Sequence, residues 1–428
     1  MKQTEIGLIP DDWEVIKFGD KVDIFRGGSP RPIERYITTN AYGINWIKIG
    51  DVRPNDKYIR QTEEKIIPEG KSRSREVKKG DFILSNSMSF GRPYILNIDG
   101  CIHDGWLTIQ NYSESFDKEF LYYLLGSDEV FKQYVQMAAG SSVQNLNKEK
   151  VADLQLKVPP LAEQRRIAKA LSDVDALIST TEKLIQKKKN IKQGTMQNLL
   201  TGKKRLPGFG PQTKSPAYKQ TELGPIPEDW EVKSLGESFD IGSSKRVFQS
   251  QWRKSGIPFY RAREIVILAE KNTVENELFI DETLYNQYKT LYGVPAVNDL
   301  LVTGVGTLGK VYKVQNTNPF YYKDGNIICL KNKGAINSDY VRYHFDYYIV
   351  KDQINDNSGK STVGTYTINS ARKTIIPVPS LPEQTAIATV LSSMDKEMET
   401  LNTKLEKYRN LKTAMMQQLL TGKIRLVK

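Results

Sequence analysis

The chain has 428 residues, which is too long for one ordinary hydrophobic core, so two or more domains are expected. Its 39% hydrophobic and 10% aromatic residues are sufficient for folding and exclude a mostly disordered chain. No apolar run approaches the roughly 20 residues that span a bilayer. The N-terminus lacks the apolar core of a signal peptide, and two cysteines are too few for a disulfide framework. We expect a cytoplasmic protein without a membrane partner.

The net charge of +12 indicates a polyanionic partner, but the excess charge is unevenly distributed. Residues 1–157 hold 22 Lys and Arg against 23 Asp and Glu, and residues 221–377 hold 19 against 18. The excess lies in residues 158–220, with 13 against 4, and in residues 378–428, with 8 against 5. A nucleic-acid surface on either long, balanced segment must therefore come from segregated charge.

The first half of the chain begins with a short lead, TEIGLIPDDWEV, at residues 4–15. Strand-like runs at 81–85 and 94–98 alternate with Gly, Asn and Asp turns, and residues 117–138 have the apolar pattern of a helix. A longer helical stretch, 158–206, follows. The segment before it is predicted to be a mixed α and β globule.

The second half repeats the first. The lead returns as TELGPIPEDWEV at residues 221–232, with nine of twelve positions identical. Strand-like runs at 300–304 and 311–314 and a helical pattern at 338–354 follow. The long helical stretch returns at 378–426, with 23 of 49 positions identical and no gap. The internal repeat therefore covers both the lead and the helix.

Each long helical stretch carries start and stop signals. Residues 380–383 resemble a capping box with an early proline, and Gly202 and Gly422 are typical C-terminal stops. Apolar residues of the second copy follow the steps of three and four of a heptad pattern, which Lys412 interrupts: Leu391, Met394, Met398, Leu401, Leu405, Tyr408, Met415 and Leu419. The alternatives are one core helix in each half or two helices packed on each other. An imperfect seam that occurs twice favours an antiparallel pair.

These elements together predict the architecture. The fold class is α+β, with two mixed α/β domains separated by two long antiparallel coiled-coil helices, in an internal pseudo-two-fold repeat. A stretch rich in Pro, Gly and Lys lies between the copies and is typical of a linker. The predicted domains are a first globule at 1–157, a first long helix at 158–206, the linker at 207–220, a second globule at 221–377 and a second long helix at 378–428.

The stretch TGVGTLGKV at residues 303–311 matches two nucleotide-site patterns, G-x-G-x-x-G and G-x-x-x-x-G-K. The repeat provides an internal control, because residues 80–94 align on 298–312 without a gap. Asn86 then faces Gly304, and Val311 stands where a phosphate loop needs Ser or Thr. A β-rich run follows in place of a helix. We predict a strand–loop–strand hairpin, either purely structural or presenting polar groups to phosphates or base edges.

Other catalytic chemistry is hard to find in this sequence. His103 and His344 are the only histidines, and Cys101 with His103 is too sparse a set for zinc. The sequence contains no G-x-S-x-G elbow and no Asn-Pro-Pro-aromatic stretch. We therefore expect a protein without a catalytic site. The rival hypotheses are a nucleotide-dependent enzyme built around residues 304–310 and a coiled-coil scaffold that does not bind DNA.

Three motifs carry a resemblance to a known family. The lead G-x-I-P-x-D-W-E-V, the helix start P-x-L-x-E-Q-x-x-I-A and the ending Q-x-L-L-T-G-K-x-R-L each occur twice in register. The chain resembles the specificity subunit of Type I restriction–modification systems over essentially its whole length. It departs from the pattern in the polar residues along the seam of its first long helix.

The resemblance implies a DNA-recognition subunit that is not itself an enzyme. Each globule would be a target-recognition domain that reads one half of an asymmetric bipartite site in double-stranded DNA. The helices would act as a spacer and bind two methyltransferase subunits and, through them, restriction and motor subunits. No cofactor is expected in this chain, because S-adenosylmethionine belongs to the methyltransferases and ATP and Mg to the restriction subunits.

Candidate contact residues follow from loops that recur at matching places in both halves, and from the motifs that the resemblance assigns to docking. Arg and Lys suit guanine or phosphate, and Asn and Gln suit adenine. The candidates for DNA binding are Ser29, Arg31, Lys48, Asn86, Ser89, Arg92, Ser141 and Gln144 in the first half, and Ser244, Arg246, Arg261, Arg263, Thr307, Lys310 and Lys360 in the second. The candidates for partner binding, which the resemblance implies, are Glu163, Gln164, Glu383 and Gln384.

Overall fold

The computed structural model describes residues 1–53, 56–86, 91–138, 146–210, 217–271, 273–275, 278–358 and 364–427. Its contacts divide the chain into two compact units: unit 1 is Met1–Lys183 with Asn402–Lys428, and unit 2 is Leu184–Leu401. Each unit contains one lead, one globular segment and parts of both long helices. The domain boundaries predicted above follow the sequence repeat, whereas these units follow spatial contacts, so the boundaries stay a prediction.

The strands of unit 1 form two five-stranded sheets and two small hairpin-like pairs. In chain order they are β1 (Lys2–Thr4), β2 (Gly7–Ile9), β3 (Glu14–Lys17), β4 (Asp23–Arg26), β5 (Ile37–Thr38), β6 (Ile44–Ile47), β7 (Tyr58–Ile59), β8 (Glu64–Ile66), β9 (Arg75–Val77), β10 (Phe82–Ser85), β11 (Pro93–Leu96), β12 (Gly100–Ile102), β13 (Trp106–Gln110) and β14 (Gln155–Val158). The sheet orders are β4-β13-β10-β11-β7 and β5-β8-β6-β12-β9, and the pairs are β1-β2 and β14-β3.

The helices of unit 1 are α1 (Pro68–Lys71), α2 (Lys118–Leu125), α3 (Asp128–Ala138), α4 (Lys148–Ala152) and the start of α5 (Leu161–Leu200). Short 3-10 helices occupy Phe18–Asp20, Ile33–Arg35 and Ile49–Asp51. The prediction of one helix over 117–138 is wrong, because the helix is interrupted at residues 126–127, between α2 and α3. The Gly126 N–H caps the end of α2, and the Ser127 hydroxyl then accepts a hydrogen bond from Val130 at 3.3 Å and starts α3.

The strands of unit 2 repeat this plan with fewer members. They are β15 (Tyr218–Thr221), β16 (Gly224–Pro227), β17 (Glu231–Ser234), β18 (Phe239–Gly242), β19 (Trp252–Arg253), β20 (Ile257–Tyr260), β21 (Phe279–Ile280), β22 (Leu300–Thr303), β23 (Val311–Lys313), β24 (Tyr321–Tyr322), β25 (Ile327–Asn332) and β26 (Ile375–Val378). The sheet orders are β18-β25-β22-β23 and β19-β21-β20-β24, with the pairs β17-β26 and β15-β16.

The helices of unit 2 are α6 (Leu235–Ser238), α7 (Ala262–Lys271), α8 (Glu282–Tyr292), α9 (Ser338–Asp346), α10 (Tyr348–Ser358), α11 (Ile368–Lys373) and most of α12 (Leu381–Leu419), and a 3-10 helix covers Gln249–Gln251. The predicted helix over 338–354 is also interrupted, because Tyr347 adopts an extended conformation between α9 and α10. The Asn337 side chain accepts a hydrogen bond from the Tyr340 N–H and caps the start of α9.

The predicted strand–loop–strand hairpin is present in both units with the same register. Phe82 faces Ile95 and Leu84 faces Pro93 in unit 1. In unit 2 Leu300 faces Lys313, and Val302 faces Val311. Both hairpins thus pair the positions that the gapless alignment of residues 80–94 on 298–312 makes equivalent, which confirms that alignment.

Ion pairs join α5 to α12 inside each unit. In unit 1 Arg409 lies 2.8 Å from Glu182, and Lys412 lies 2.6 Å from Asp175. The later residue of α12, Lys412, pairs with the earlier residue of α5, Asp175, so the two segments run in opposite directions. In unit 2 the equivalent of Lys412 is Lys192, which pairs with Asp395, and Lys188 pairs with Glu397 at 2.7 Å. The lysines that interrupt the apolar seam are therefore ion-paired across it.

The lead of each unit packs under the end of a long helix. Gly422 has a φ of +73°, and a Cβ there would lie 2.6 Å from Pro10 Cδ. Gly202 repeats this arrangement with a φ of +69° and a virtual Cβ 2.5 Å from Pro227 Cδ. Trp13 and Trp230 of the leads are both completely buried. The glycine of the T-G-K motif is therefore required by backbone shape and by the close approach of the lead.

Candidate nucleic-acid interface

In unit 1 several chain segments meet at one end of the sheet that contains β10. The N–H of Gly27, which follows β4, donates to the Trp106 carbonyl at 2.8 Å. The N–H of Asn86, which follows β10, donates to the Gly105 carbonyl at 3.1 Å. We call this surface the loop end of unit 1, and among the described residues it comprises 27–31, 48, 86, 91–92 and 103–105.

The neighbouring sheet contributes a fourth segment at the same place. The His103 N–H donates to the carbonyl of Ile47 at 3.1 Å, so the end of β6 lies beside the turn that follows β12. In unit 2 the Lys323 N–H donates to the Tyr260 carbonyl at 2.8 Å, which repeats the arrangement. Lys48 and Arg261, which come directly after these strands, are thereby held at equivalent positions. The loop end of unit 2 comprises residues 242–246, 261–263, 304–310 and 323–326.

Asp104 is the centre of the loop end in unit 1. Its carboxylate accepts a hydrogen bond from the Ser29 hydroxyl at 3.0 Å and lies 3.0 Å from His103 Nε2 and 3.5 Å from Arg31 Nη2. Partial burial raises the pKa of Asp104, but the Ser29 hydrogen bond and the nearby positive charges outweigh it, so the pKa is lowered overall. The Asn86 amide also donates to the Asp104 carbonyl at 3.0 Å. The structure therefore brings three of the predicted site residues to one aspartate, Ser29 and Arg31 at its carboxylate and Asn86 at its main-chain carbonyl.

Asp324 occupies the equivalent place in unit 2. Arg246 Nε lies 2.9 Å from its carboxylate, and the Ser244 hydroxyl donates to the adjacent Tyr322 carbonyl at 2.7 Å. Asp104 and Asp324 are functional candidates that sequence reasoning missed. The signal was available, because an Asp-Gly pair occurs at 104–105 directly before β13 and again at 324–325, one residue before β25.

The hairpin tips are held by the same hydrogen bonds in both units. Thr303 accepts from the Gly309 N–H through its carbonyl at 2.9 Å and from the Lys310 N–H through its hydroxyl at 3.0 Å. Ser85 makes the corresponding bonds to Gly91 at 2.7 Å and to Arg92 at 3.1 Å. The loop leads into β23, not into a helix that could hold a phosphate, so this geometry does not favour the nucleotide-enzyme hypothesis.

The remaining predicted residues of the hairpin tips differ in exposure. Asn86 is 2% exposed and braces the loop from inside, whereas Arg92 and Thr307 are exposed. The Thr307 carbonyl accepts a hydrogen bond from the Thr303 hydroxyl. Lys310 Nζ lies 3.1 Å from Glu270, and both side chains are partly exposed.

Arg261 and Arg263 share one buried carboxylate. Glu264 is completely buried, and its oxygens lie 2.7 Å from Arg261 Nη2 and 2.9 Å from Arg263 Nε. Burial raises the pKa of Glu264, but the hydrogen bonds from the two arginines outweigh this and bring it to about 2. In unit 1 the corresponding Lys48 lies 2.7 Å from Glu64. The two loop ends thus place different side chains on the same framework.

The loops at 140–145 and 359–364, which carry the candidates Ser141, Gln144 and Lys360, lie almost entirely outside the described residues, and so does Ser89. The described flanks of these two loops return to the loop ends. The Leu146 N–H donates to the Asn86 carbonyl, and the Tyr366 N–H donates to the Gly304 carbonyl, each at 2.9 Å. The contacts of those four candidates stay a prediction.

The four residues predicted to bind a partner lie inside their own units. Glu163 is 2% exposed and accepts two hydrogen bonds from Arg425, at 2.8 Å each, and one from Trp13 Nε1 at 3.0 Å. Glu383 is 1% exposed and is held by Arg205 in the same way. Gln164 and Gln384 are also buried. All four side chains hold a helix start in place. That they bind a partner protein stays a prediction.

Gln164 and Gln384 each join a helix start to the globular segment beside it. Gln164 accepts from the Asp117 N–H at 2.8 Å, and Gln384 accepts from the Asn337 N–H at 2.9 Å. Sequence reasoning missed Arg205 and Arg425, the partners of the two glutamates. The signal was the R-L pair that follows T-G-K in both copies.

Histidines and cysteines supply no further site. His344 is completely buried, as are both free cysteines, Cys101 and Cys329. Among the described residues, no group of three or more His, Cys, Asp or Glu side chains is arranged to hold a metal ion. A search of the same part of the chain finds no helix with the length and apolar character needed to cross a membrane.

Comparison with known proteins agrees with the arrangement in two similar units. The family model of the Type I restriction modification DNA specificity domain matches residues 10–193 and 227–407. The MjaVIII specificity subunit of Methanocaldococcus jannaschii is 27% identical over 430 residues, covering 98% of this chain and 94% of that protein. The EcoBI specificity subunit of Escherichia coli is 22% identical, covering 97% of this chain and 87% of that protein.

A solved structure supports the fold independently. The Type I restriction–modification S subunit from M. genitalium superposes with a TM-score of 0.57 at 15% identity, over 98% of each chain. A chain from a Type I restriction–modification complex gives 0.56 at 16% identity, over 97% of this chain and 100% of that one. Since the family model matches twice and covers most of the residues, the chain belongs to the Type I restriction–modification DNA specificity family and serves as a DNA-specificity subunit.

Proposed function

We propose that the chain reads an asymmetric bipartite target in double-stranded DNA, with one half-site for each unit. The observation that carries this proposal is that the same loop end occurs twice with different side chains. Lys48 corresponds to Arg261, and Asn86 corresponds to Gly304. Identical modules related by two-fold symmetry read palindromes, so modules that differ are expected to read different half-sites.

The proposed DNA contacts are the polar side chains of the two loop ends. Exposed cations such as Arg31, Arg92, Arg246 and Arg263 suit base edges or phosphates. Buried Asn86 positions its loop instead of facing DNA. The proposed set also keeps Ser29, Lys48, Ser244, Arg261, Thr307 and Lys310, together with Ser89, Ser141, Gln144 and Lys360.

The long helices act as the spacer between the half-sites. The ion pairs inside each unit support an antiparallel coiled-coil pair, in which Lys412 with Asp175 and Lys192 with Asp395 fix the register at equivalent places. A helix of 40 residues such as α5 is roughly 60 Å long. We therefore expect the length of these helices to set the number of base pairs between the half-sites.

The chain has no catalytic role of its own in this proposal. Methyltransferase subunits bind beside the helix starts, where exposed side chains surround the buried Glu–Gln pairs. A shallow groove at the start of α12 offers hydroxyl and charged groups for this contact, from Asp339, Thr385, Thr389, Ser393 and Lys396. S-adenosylmethionine enters with the methyltransferases, and ATP and Mg enter with the restriction subunits.

The spacer role is tested by inserting one or two helical turns near residue 200 together with a matching insertion in α12. The recognised half-sites should stay the same while the distance between them increases. An unchanged distance would contradict the role of the helices. A binding measurement is the control for DNA recognition itself. The complex of this chain with its methyltransferases should bind its methylated motif more tightly than a scrambled sequence of equal length. A scaffold that does not bind DNA would show equal affinity for both.

A further inference from the structure

Arg31 and Arg246 occupy equivalent positions in the two units, each paired with the aspartate of an Asp-Gly turn. We propose that each of these arginines reads a guanine in the half-site of its own unit, and that Asp104 and Asp324 are the positioning residues that aim the two guanidinium groups. This inference rests on the proposed function, because it concerns how the loop ends read DNA. It adds a base identity to a half-site that is otherwise unassigned.

The contact in unit 2 leaves the correct part of the arginine available. Arg246 donates from Nε to Asp324 Oδ2 at 2.9 Å, so this hydrogen bond does not use the end-on fork that its two terminal Nη groups form. Guanine presents two acceptors, O6 and N7, on its major-groove edge, and an arginine fork matches them with two parallel hydrogen bonds. An arginine fixed through Nε is therefore prepared for this base before DNA arrives.

The aspartate side chains are less exposed than the arginine side chains in both units. Asp324 is 18% exposed and Arg246 is 68% exposed; in unit 1 the corresponding values are 30% for Asp104 and 83% for Arg31. The Asp104 carboxylate is held by the Ser29 hydroxyl at 3.0 Å. The turn beneath Asp324 is held by Ser243, which accepts from the Gly325 N–H at 3.3 Å and donates to the Ile327 carbonyl at 2.9 Å. The more buried member of each pair is thus the carboxylate.

A carboxylate next to each arginine favours a base over a phosphate as its DNA contact. The negative charge cancels much of the attraction that a guanidinium has for a phosphate, and it would repel the phosphate oxygens themselves. It does not weaken the directional donors that a neutral acceptor such as guanine O6 requires. Exposed ion pairs of this kind contribute only about 0–1 kcal/mol to stability, so the fold has little need of them. Their presence in both units points to recognition.

The two units differ in how tightly the pair is closed. Arg31 Nη2 lies 3.5 Å from Asp104 Oδ2, which is longer than the contact in unit 2, and Asp104 Oδ1 also lies 3.0 Å from His103 Nε2. Lys323 takes the place of His103 in unit 2. The contact of Arg31 also uses Nη2, one of the two groups of the fork, so Arg31 must turn away from Asp104 when it binds guanine. We therefore expect the guanine read by unit 1 to be discriminated less sharply than the guanine read by unit 2.

The test is methylome sequencing of a host that carries the full chain with the methyltransferase subunits of its own system. Five chains are compared: the natural chain, Arg31→Ala, Arg246→Ala, Asp324→Asn and the control Arg253→Ala. In the described part of the chain, the Arg253 guanidinium donates hydrogen bonds to the carbonyls of Ser250 and Trp252. The natural motif should contain a guanine in each half. In Arg246→Ala the preference for guanine over the other bases at one position should fall roughly ten- to a hundredfold, while the second half-site and the spacer stay the same.

Asp324→Asn distinguishes a positioning role from a structural one. It keeps the shape of the turn and removes the charge, so the same guanine position should become partly degenerate while the other positions of that half-site keep their preference. Arg253→Ala should reproduce the natural motif. Arg31→Ala should relax one position of the other half-site only.

Three results would overturn the inference while leaving the proposed function intact. These are a bipartite motif in which one or both halves lack a G·C pair, a guanine preference that survives Arg246→Ala, and a uniform loss of methylation at all sites with the motif unchanged. The last result would indicate a phosphate contact or a general structural role. Failure of the proposed function is recognised separately, because the natural chain would then yield no bipartite motif at all.

Discussion

His344 lies in the interior of unit 2, where it has no means of carrying a charge. Its side chain is completely buried with its ring centroid 4.7 Å from that of Tyr340, and neither ring nitrogen has a hydrogen-bond partner within the described part of the chain. Burial lowers the pKa of His344 from 6.5 to about 3, because the imidazolium would lose its hydration without gaining a partner. In unit 1 the corresponding residue is Leu124, so the repeat itself supplies a replacement, His344→Leu.

The sign of the effect follows from the direction of the shift. The pKa of His344 is lower in the folded chain than in the unfolded chain, so the unfolded chain takes up the proton first. Stability is then present above pH 6.5 and is lost as the pH falls through the window between 6.5 and about 3. Between pH 7 and pH 5 the free energy of unfolding of unit 2 should fall by about 2 kcal/mol because of this one residue.

The assay is urea denaturation of the full chain at both pH values, with hydrogen exchange of peptides from α9 used to assign the transition to unit 2. His344→Leu should reduce the loss of stability between pH 7 and pH 5 by about 2 kcal/mol compared with the natural chain. The reciprocal variant, Leu124→His, should introduce a similar loss into unit 1. Equal pH dependence in the natural chain and in His344→Leu would refute the reasoning.

Two further predictions concern charged residues in ion pairs. Arg425→Ala leaves Glu163 buried without its cation and should lower the free energy of unfolding of unit 1, measured by urea denaturation, by about 3–5 kcal/mol. The control Arg165→Ala, on the exposed face of α5, should change this free energy by less than about 0.5 kcal/mol. A loss below about 1 kcal/mol in Arg425→Ala would contradict the prediction. Lys412→Met removes the cation beside Asp175, which keeps its hydrogen bond from Tyr123, and should destabilise unit 1. Adding Asp175→Asn should restore most of the thermal midpoint, because the uncompensated charge is then gone. No recovery in the double variant would show that the ion pair is not the cause.

The repeated architecture and the hairpins were predictable because the two copies constrain each other. The gapless alignment of residues 80–94 on 298–312 already excluded a shared glycine cradle, and the identical registers of the two hairpins follow from it. The early proline of α12 and the glycines that follow both long helices are local signals, and the structure starts and ends these helices beside them. Glu383, predicted as part of a capping box, binds Arg205 instead.

The centres of the loop ends were not predictable in the same way. Asp104 reads as an ordinary turn residue, and only its contact with Arg31, which is 73 residues away in sequence, gives it a role. Arg205 reads as one of a run of solvated cations, but it pairs with Glu383 across 178 residues. Tertiary contacts of this kind leave no local pattern. The repeat could have revealed them, because both the Asp-Gly pair and the terminal arginine occur twice.

The central claim is that each unit reads its own half of one bipartite site. The most direct test is methylome sequencing of a host that expresses this chain with its methyltransferases, before and after residues 16–157 are replaced by the corresponding segment of another specificity subunit. The account predicts a bipartite methylated motif in which the replacement changes one half and leaves the other half and the spacer as they were. A continuous motif, or a replacement that changes both halves together, would contradict it.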